Sequence, residues 1–221
     1  MSDVNRKPVA LPRYPGYDVL AKRDTPSWND ATRRAIDARL RVAANAPRYL
    51  DPERFATLGA LCARIVPQQP GGAGAIPTAA LVDARLAADG GDGYRDARLP
   101  PLRAAWQTGL AALDAMARHA YGCPFAALGP RDADALLQAV QNGGVDPQVA
   151  PAWAGTDPHT FFMKRVLMDI CGAYYGHPFA WNEIGFGGPA SPRGYVRMDF
   201  NRRDPWEAEM RVEEGDHDGR R

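Results

Sequence analysis

DPERFATLGALCARIVP, residues 51–67, reads as one complete helix with its own start and its own stop. Asp51 is a residue type whose side-chain oxygen caps the free amides of a first turn. Pro52 suits the first helical position, where no amide donor is needed, and Glu53 places an acid at the positive end of the helix dipole. Phe55, Leu58, Cys62 and Ile65–Val66 then recur at the i, i+3, i+7 spacing of a stripe buried along one side. Pro67 has no amide hydrogen to continue the ladder.

The same grammar repeats in both directions. Residues 29–44 are rich in alanine and charge, with Ile36, Leu40 and Ala43 on one face and Pro47 beyond the end. Residues 68–77, QQPGGAGAIP, are a loop, and 78–88 a short helix ended by Asp89-Gly90-Gly91. The longest helix is 101–121. Leu102, Trp106, Leu110, Leu113, Ala117 and Ala120 form its apolar face, and Gly122 is placed for a C-cap. Residues 130–142 carry Leu136, Leu137 and Val140, and Gly143-Gly144 close them. Asp157-Pro158 repeats the Asp-Pro start and opens a helix with Met163, Leu167, Ile170 and Tyr174, ended by Gly176. No segment alternates strictly enough to be a strand.

This predicts an all-α protein, an irregular bundle of about six helices. Ahead of it, residues 1–28 form an extended arm. Four prolines precede Trp28 there, and no helical period exists. The helical domain is assigned to 29–200, including a Gly/aromatic-rich C-terminal loop in which regular structure fades after Gly176. Residues 201–221, ending EEGDHDGRR, are assigned as a flexible tail.

Bulk composition narrows the function. The 221 residues carry a formal net charge of +1, which does not suit a nucleic-acid footprint. Residues 1–48 hold ten Arg/Lys against five Asp, while 199–221 hold five Arg against eight Asp/Glu. These are either solvated ends or charged arms that lie on a partner. Cys62, Cys123 and Cys171 show no metal-ligand spacing. Cys62 and Cys171 read as buried thiols and Cys123 as exposed. No run of 18 apolar residues offers a membrane span. Arg33-Arg34 is followed by Ala35-Ile36-Asp37-Ala38-Arg39, whose charges do not fit an export segment. On this reading the chain stays in the cytoplasm unless a partner carries it out.

The glycine-rich stretch WNEIGFGGPASPRGY, 181–195, is not a phosphate cradle. That motif needs a strand before it and a helix after it, and Pro189 and Pro192 break any following helix. His119, His159, His177 and His217 form no pair at metal spacing. Ser191 has no obvious base. A Cys171–His177 pair is conceivable, but a thiol among apolar residues has its pKa raised and is inert. Asp157–His159, and Glu183 with Asp199, are further candidate pairs without a supporting motif. What remains is aromatic density: Tyr174, Tyr175, Phe179, Trp181, Phe186, Tyr195 and Phe200 fall within 27 residues. Such residues serve either self-packing or a partner interface.

Three patterns carry a family resemblance. F-x-x-L-x-x-L-x-x-R-I-V-P (Phe55, Leu58, Leu61, Arg64 to Pro67) resembles the start of gluconate 2-dehydrogenase subunit 3. So does W-x-x-G-L-x-x-L-D (Trp106, Gly109, Leu110, Leu113, Asp114), followed by Tyr121-Gly122 and Pro124-Phe125. The closing W-x-x-I-G-F-x-G-P with R-G-Y (Trp181, Ile184 to Phe186, Gly188-Pro189, Arg193 to Tyr195) is similar to the family's end.

The resemblance implies a non-catalytic small subunit that supports maturation, export and stability of a large flavoprotein dehydrogenase of the glucose–methanol–choline type. That subunit would hold FAD and oxidise a sugar, sugar acid or polyol; a cytochrome c subunit often takes the electrons. This chain would carry no catalytic, cofactor or metal residues. The resemblance also implies a periplasmic location if the partner carries the export signal. Its expected partner-binding residues are Tyr14, Tyr17 and Trp28 in the arm, with Trp181, Phe186, Arg193 and Tyr195 in the C-terminal loop. The rival readings are a stand-alone helical enzyme using the Cys171–His177 or Asp157–His159 neighbourhood, and a self-associating scaffold.

Overall fold

A computed structural model of the chain describes residues 13–68, 75–91, 93–94, 96–189 and 207–211. Among them regular structure is helical, and no strand occurs, as the sequence predicts. Contacts divide the chain into two units: Met1–Leu40 with His177–Arg221, and Arg41–Gly176.

The larger unit is built around the helix quoted first. This is α2, Pro52–Ile65, which follows α1 (Asp30–Leu40) of the smaller unit. The Asp51 side chain accepts from the Arg54 amide at 2.9 Å, which is the expected cap. Thr57, Leu58, Leu61 and Cys62 are buried along one side. α2 packs on α3 (Thr78–Ala88), α4 (Leu102–Tyr121), α5 (Pro130–Gln141) and α7 (Leu167–Tyr175). Each large apolar side chain so buried contributes about 1.5–3 kcal/mol. Burial pushes the Cys62 thiol up to about 12.

Three carboxylates tie the larger unit together where backbone or indole donors need acceptors. Asp83, fully buried on α3, accepts from the amides of Arg48 and Leu50 at 2.5 and 2.8 Å and from that of Tyr49 at 3.3 Å. Asp114 on α4 accepts from the Thr57 hydroxyl at 3.1 Å and the Phe125 amide at 2.9 Å. Asp169 on α7, 3% exposed, accepts from Trp106 Nε1 at 2.8 Å and faces Arg85 and Arg165 at 3.3 and 3.6 Å. Apart from Arg165–Asp169, one helical turn apart, these pairings have no local sequence signal, because they join different elements of the chain.

The helix opened by Asp157 is interrupted. α6 (Pro158–Phe161) runs through a π-helical stretch (Phe162–Val166) into α7. Phe162, Val166, Ile170 and Tyr174 are all buried at four-residue steps. Each such step rotates about 40° beyond a full α-helical turn, and one wide turn absorbs part of that drift. Phe161 lies edge-on to Trp106 and Trp153, with centroids at 5.5 and 5.7 Å. The ring occupies the space left by Gly109 of α4, where an added Cβ would meet it at 2.1 Å.

The smaller unit departs from the sequence reading in three ways. The arm is not simply extended: Val19–Lys22 forms a 3-10 turn capped by Asp18, and Val19 is fully buried. Regular structure does not fade after Gly176, since Pro178–Ile184 is a further helix, α8. A two-turn helix is too short to show a hydrophobic period, but His177 and Pro178 supply its cap and first residue. Third, the arm and α1 belong with α8, so the contact division does not follow a boundary at residue 28. Within the proposed tail, residues 207–211 are described, and the Arg211 amide donates to the Arg13 carbonyl at 2.9 Å. The remainder of 201–221 lies outside the described residues.

Candidate functional site

The feature that gathers most of the expected partner-binding residues is a clasp inside the smaller unit. The arm closes over α8 and the glycine loop that follows it. Asn182 of α8 accepts from the Val19 amide at 2.8 Å through Oδ1, and its Nδ2 donates to Asp18 at 3.2 Å. The Tyr17 hydroxyl donates to the Phe186 carbonyl at 3.0 Å, and Lys22 Nζ to the Gly187 carbonyl at 3.1 Å. Lys22 is only 7% exposed, so its ammonium depends on such acceptors in place of water. Burial, then Asp18 and Glu207, push the Tyr17 phenol up.

The glycines are where the arm comes closest. Gly185 ends α8 with φ +68°, and a Cβ there would meet the Tyr14 ring at 2.6 Å. Gly188, with φ +76°, would place a Cβ 3.2 Å from Trp28, 3.3 Å from Val19 and 3.4 Å from Trp181. Val19, Trp28, Ile36 and Trp181 form one buried cluster, flanked by Tyr17, Leu20 and Leu40. On the α1 side, Arg23 makes a two-pronged pair with Asp37, at 2.7 and 3.2 Å. Arg33 Nη1 donates to the Trp28 carbonyl at 2.7 Å.

This sorts the expected site residues. Trp28 and Trp181 are 2% and 3% exposed. Expected among the partner-binding residues, both rings are consumed instead by the chain's own cluster, because the arm supplies the apolar cover that α8 needs. Tyr14 and Tyr17 are half-buried against the loop. Phe186 is 39% exposed beside Trp181, edge-on at a centroid distance of 5.6 Å, and Ile184 and Met210 are 48% and 50% exposed. Arg193 and Tyr195 lie outside the described residues, as does Asp199. Sequence reasoning passed over Asp18, Lys22 and Asn182. Only the pairing of two distant segments makes them matter.

Of the rival catalytic residues, Asp157, His159 and His177 make structural contacts. Asp157 caps α6, accepting from the Thr160 amide at 2.7 Å. His159 Nδ1 contacts the Gln141 carbonyl. Cys171 is half-buried, less enclosed than expected, and burial raises its thiol pKa. His177 is 2% exposed and caps α8. Glu183 is exposed on α8.

The family model described as gluconate 2-dehydrogenase subunit 3 matches residues 52–188. The chain belongs to this family. No match was found among curated proteins or among solved structures. The matched span begins with α2 and ends at Gly188, so it holds every described helix from α2 to α8. Gly185, Gly187 and Gly188 lie inside the span, and the arm that covers them lies before it. Among the described residues no helix is long and apolar enough to cross a membrane.

Proposed function

We propose that this chain is a non-catalytic accessory subunit that binds, stabilises and helps mature a large FAD-containing dehydrogenase of the glucose–methanol–choline type, acting on a sugar, sugar acid or polyol. The observation that carries this reading is the family match over residues 52–188, since the family is named as one subunit of a dehydrogenase complex. The geometry suits it in one respect. The clasp anchors Trp28 and Trp181 internally and leaves Ile184, Phe186 and Met210 at the surface of the same unit. Apolar and aromatic groups on a rigid support are the usual core of a protein interface. A cytochrome c subunit is a further expected member of the complex.

The test is co-purification. A tagged full-length chain, coexpressed with the large flavoprotein subunit of its complex, should bring down a yellow, FAD-bearing partner. It should also raise the yield of active dehydrogenase. A chain that elutes as a monomer beside that subunit, and leaves its yield unchanged, overturns the proposal.

A further inference from the structure

His177 has a cap role that Ser, Thr, Asp or Asn usually fill. It is 2% exposed, and its Nδ1 accepts from the Phe179 amide at 3.3 Å. The ring lies edge-on to Phe179, with centroids 4.9 Å apart. Accepting that amide requires a lone pair on Nδ1, so the ring is neutral with its proton on Nε2. Protonation would turn the acceptor into a donor pointing at another donor. It would also place a positive charge in a buried site acted on by Arg39 of α1, the charged group that bears on this ring among the described residues. α8 itself adds Glu183, which is exposed near its far end.

We propose that His177 is an acid-sensitive latch: neutral, it fastens the first turn of α8 in the smaller unit; protonated, it releases that turn. Trp181 and Asn182 lie one turn further along the same helix and hold Val19 and the tryptophan cluster. Loosening α8 therefore loosens the clasp. Burial, then Arg39, pull the His177 pKa below the ordinary value. An unfolded histidine binds its proton near pH 6.5. The latch is thus at full strength above about pH 6.5 and weakens as the pH falls from there through the folded value. The inference rests on the fold of α8 and is independent of the partner reading.

The experiment is an NMR titration of the isotopically labelled full chain from pH 7.5 to 4.5. It follows the Phe179 amide, the His177 ring and the indoles of Trp28 and Trp181. The Phe179 amide proton should move upfield with the His177 midpoint, below about 6.5, and the two indoles should follow. His177→Asn, whose side-chain oxygen caps without titrating, should abolish the shift. Arg39→Gln, a surface change, should move the midpoint upward. A Phe179 amide that does not track the His177 ring overturns the latch. So does a midpoint at or above the ordinary value, or an unchanged titration in His177→Asn.

Discussion

Gly185 and Tyr14 form a single fit: the backbone of Gly185 turns left-handed at φ +68°, and the Tyr14 ring fills the place where a Cβ would stand, 2.6 Å away. Gly185→Ala therefore meets two penalties. The left-handed conformation costs a non-glycine residue about 1–2 kcal/mol, and the tyrosine must shift. Urea unfolding should show a loss of at least that size. Tyr14→Ala in the same chain should recover the steric part only, so the double variant stays less stable than Tyr14→Ala alone. Equal stability of Gly185→Ala and the parent would refute the fit.

Trp181 and Phe186 meet edge to face, yet one is 3% and the other 39% exposed. They should behave differently. Trp181→Ala opens a cavity in the Val19–Trp28–Ile36 cluster and should cost about 3–5 kcal/mol. Phe186→Ala should change the unfolding free energy by no more than about 1 kcal/mol but weaken capture of the large subunit under the accessory reading. Paired denaturation and pull-down assays separate the two effects. A Phe186→Ala chain that folds and binds like the parent removes this face from the interface.

Gly109 makes room for Phe161 in the larger unit, at 2.1 Å from a Cβ that would have nowhere to go. Gly109→Ala should overpack the core by about 1–3 kcal/mol or more, against the usual gain from replacing a helical glycine. Adding Phe161→Leu should relieve part of the strain, a coupling that a double-mutant cycle measures. A stabilised Gly109→Ala protein would mean the ring yields freely.

Asp157 tests the acid side. Thr160, through side chain and amide, and then His159 and Arg98, hold its carboxyl below the usual range against an opposing effect of burial. Its stabilisation is present above the unfolded value near 3.9 and is lost as pH falls through the lower folded value. Asp157→Ala should cost about 1 kcal/mol at neutral pH. Asp157→Asn should keep the cap and show a smaller loss than the parent as the pH falls below about 4. Matched acid titrations of thermal stability check both.

Helix starts and stops were legible because they are local. Asp51-Pro52, Asp157-Pro158 and Gly122 announce themselves within a turn, and α2, α4 and α5 fall where their stripes predict. α8 was missed because seven residues cannot display a period, and because His177 is an uncommon cap. The π stretch was missed because it only widens the step between Phe162 and Val166. Of the expected site residues, the aromatic character was readable and the burial was not.

The sequence by itself determined the helical class and the family, since both rest on residues that act within a few positions of one another. Only the tertiary structure decided what the glycines after α8 are for. Tyr14, Lys22 and Trp28 reach Gly185, Gly187 and Gly188 from more than 150 positions away. Spacing cannot encode that meeting. It follows from the apolar faces of the arm and α8, which leave water together in one cluster.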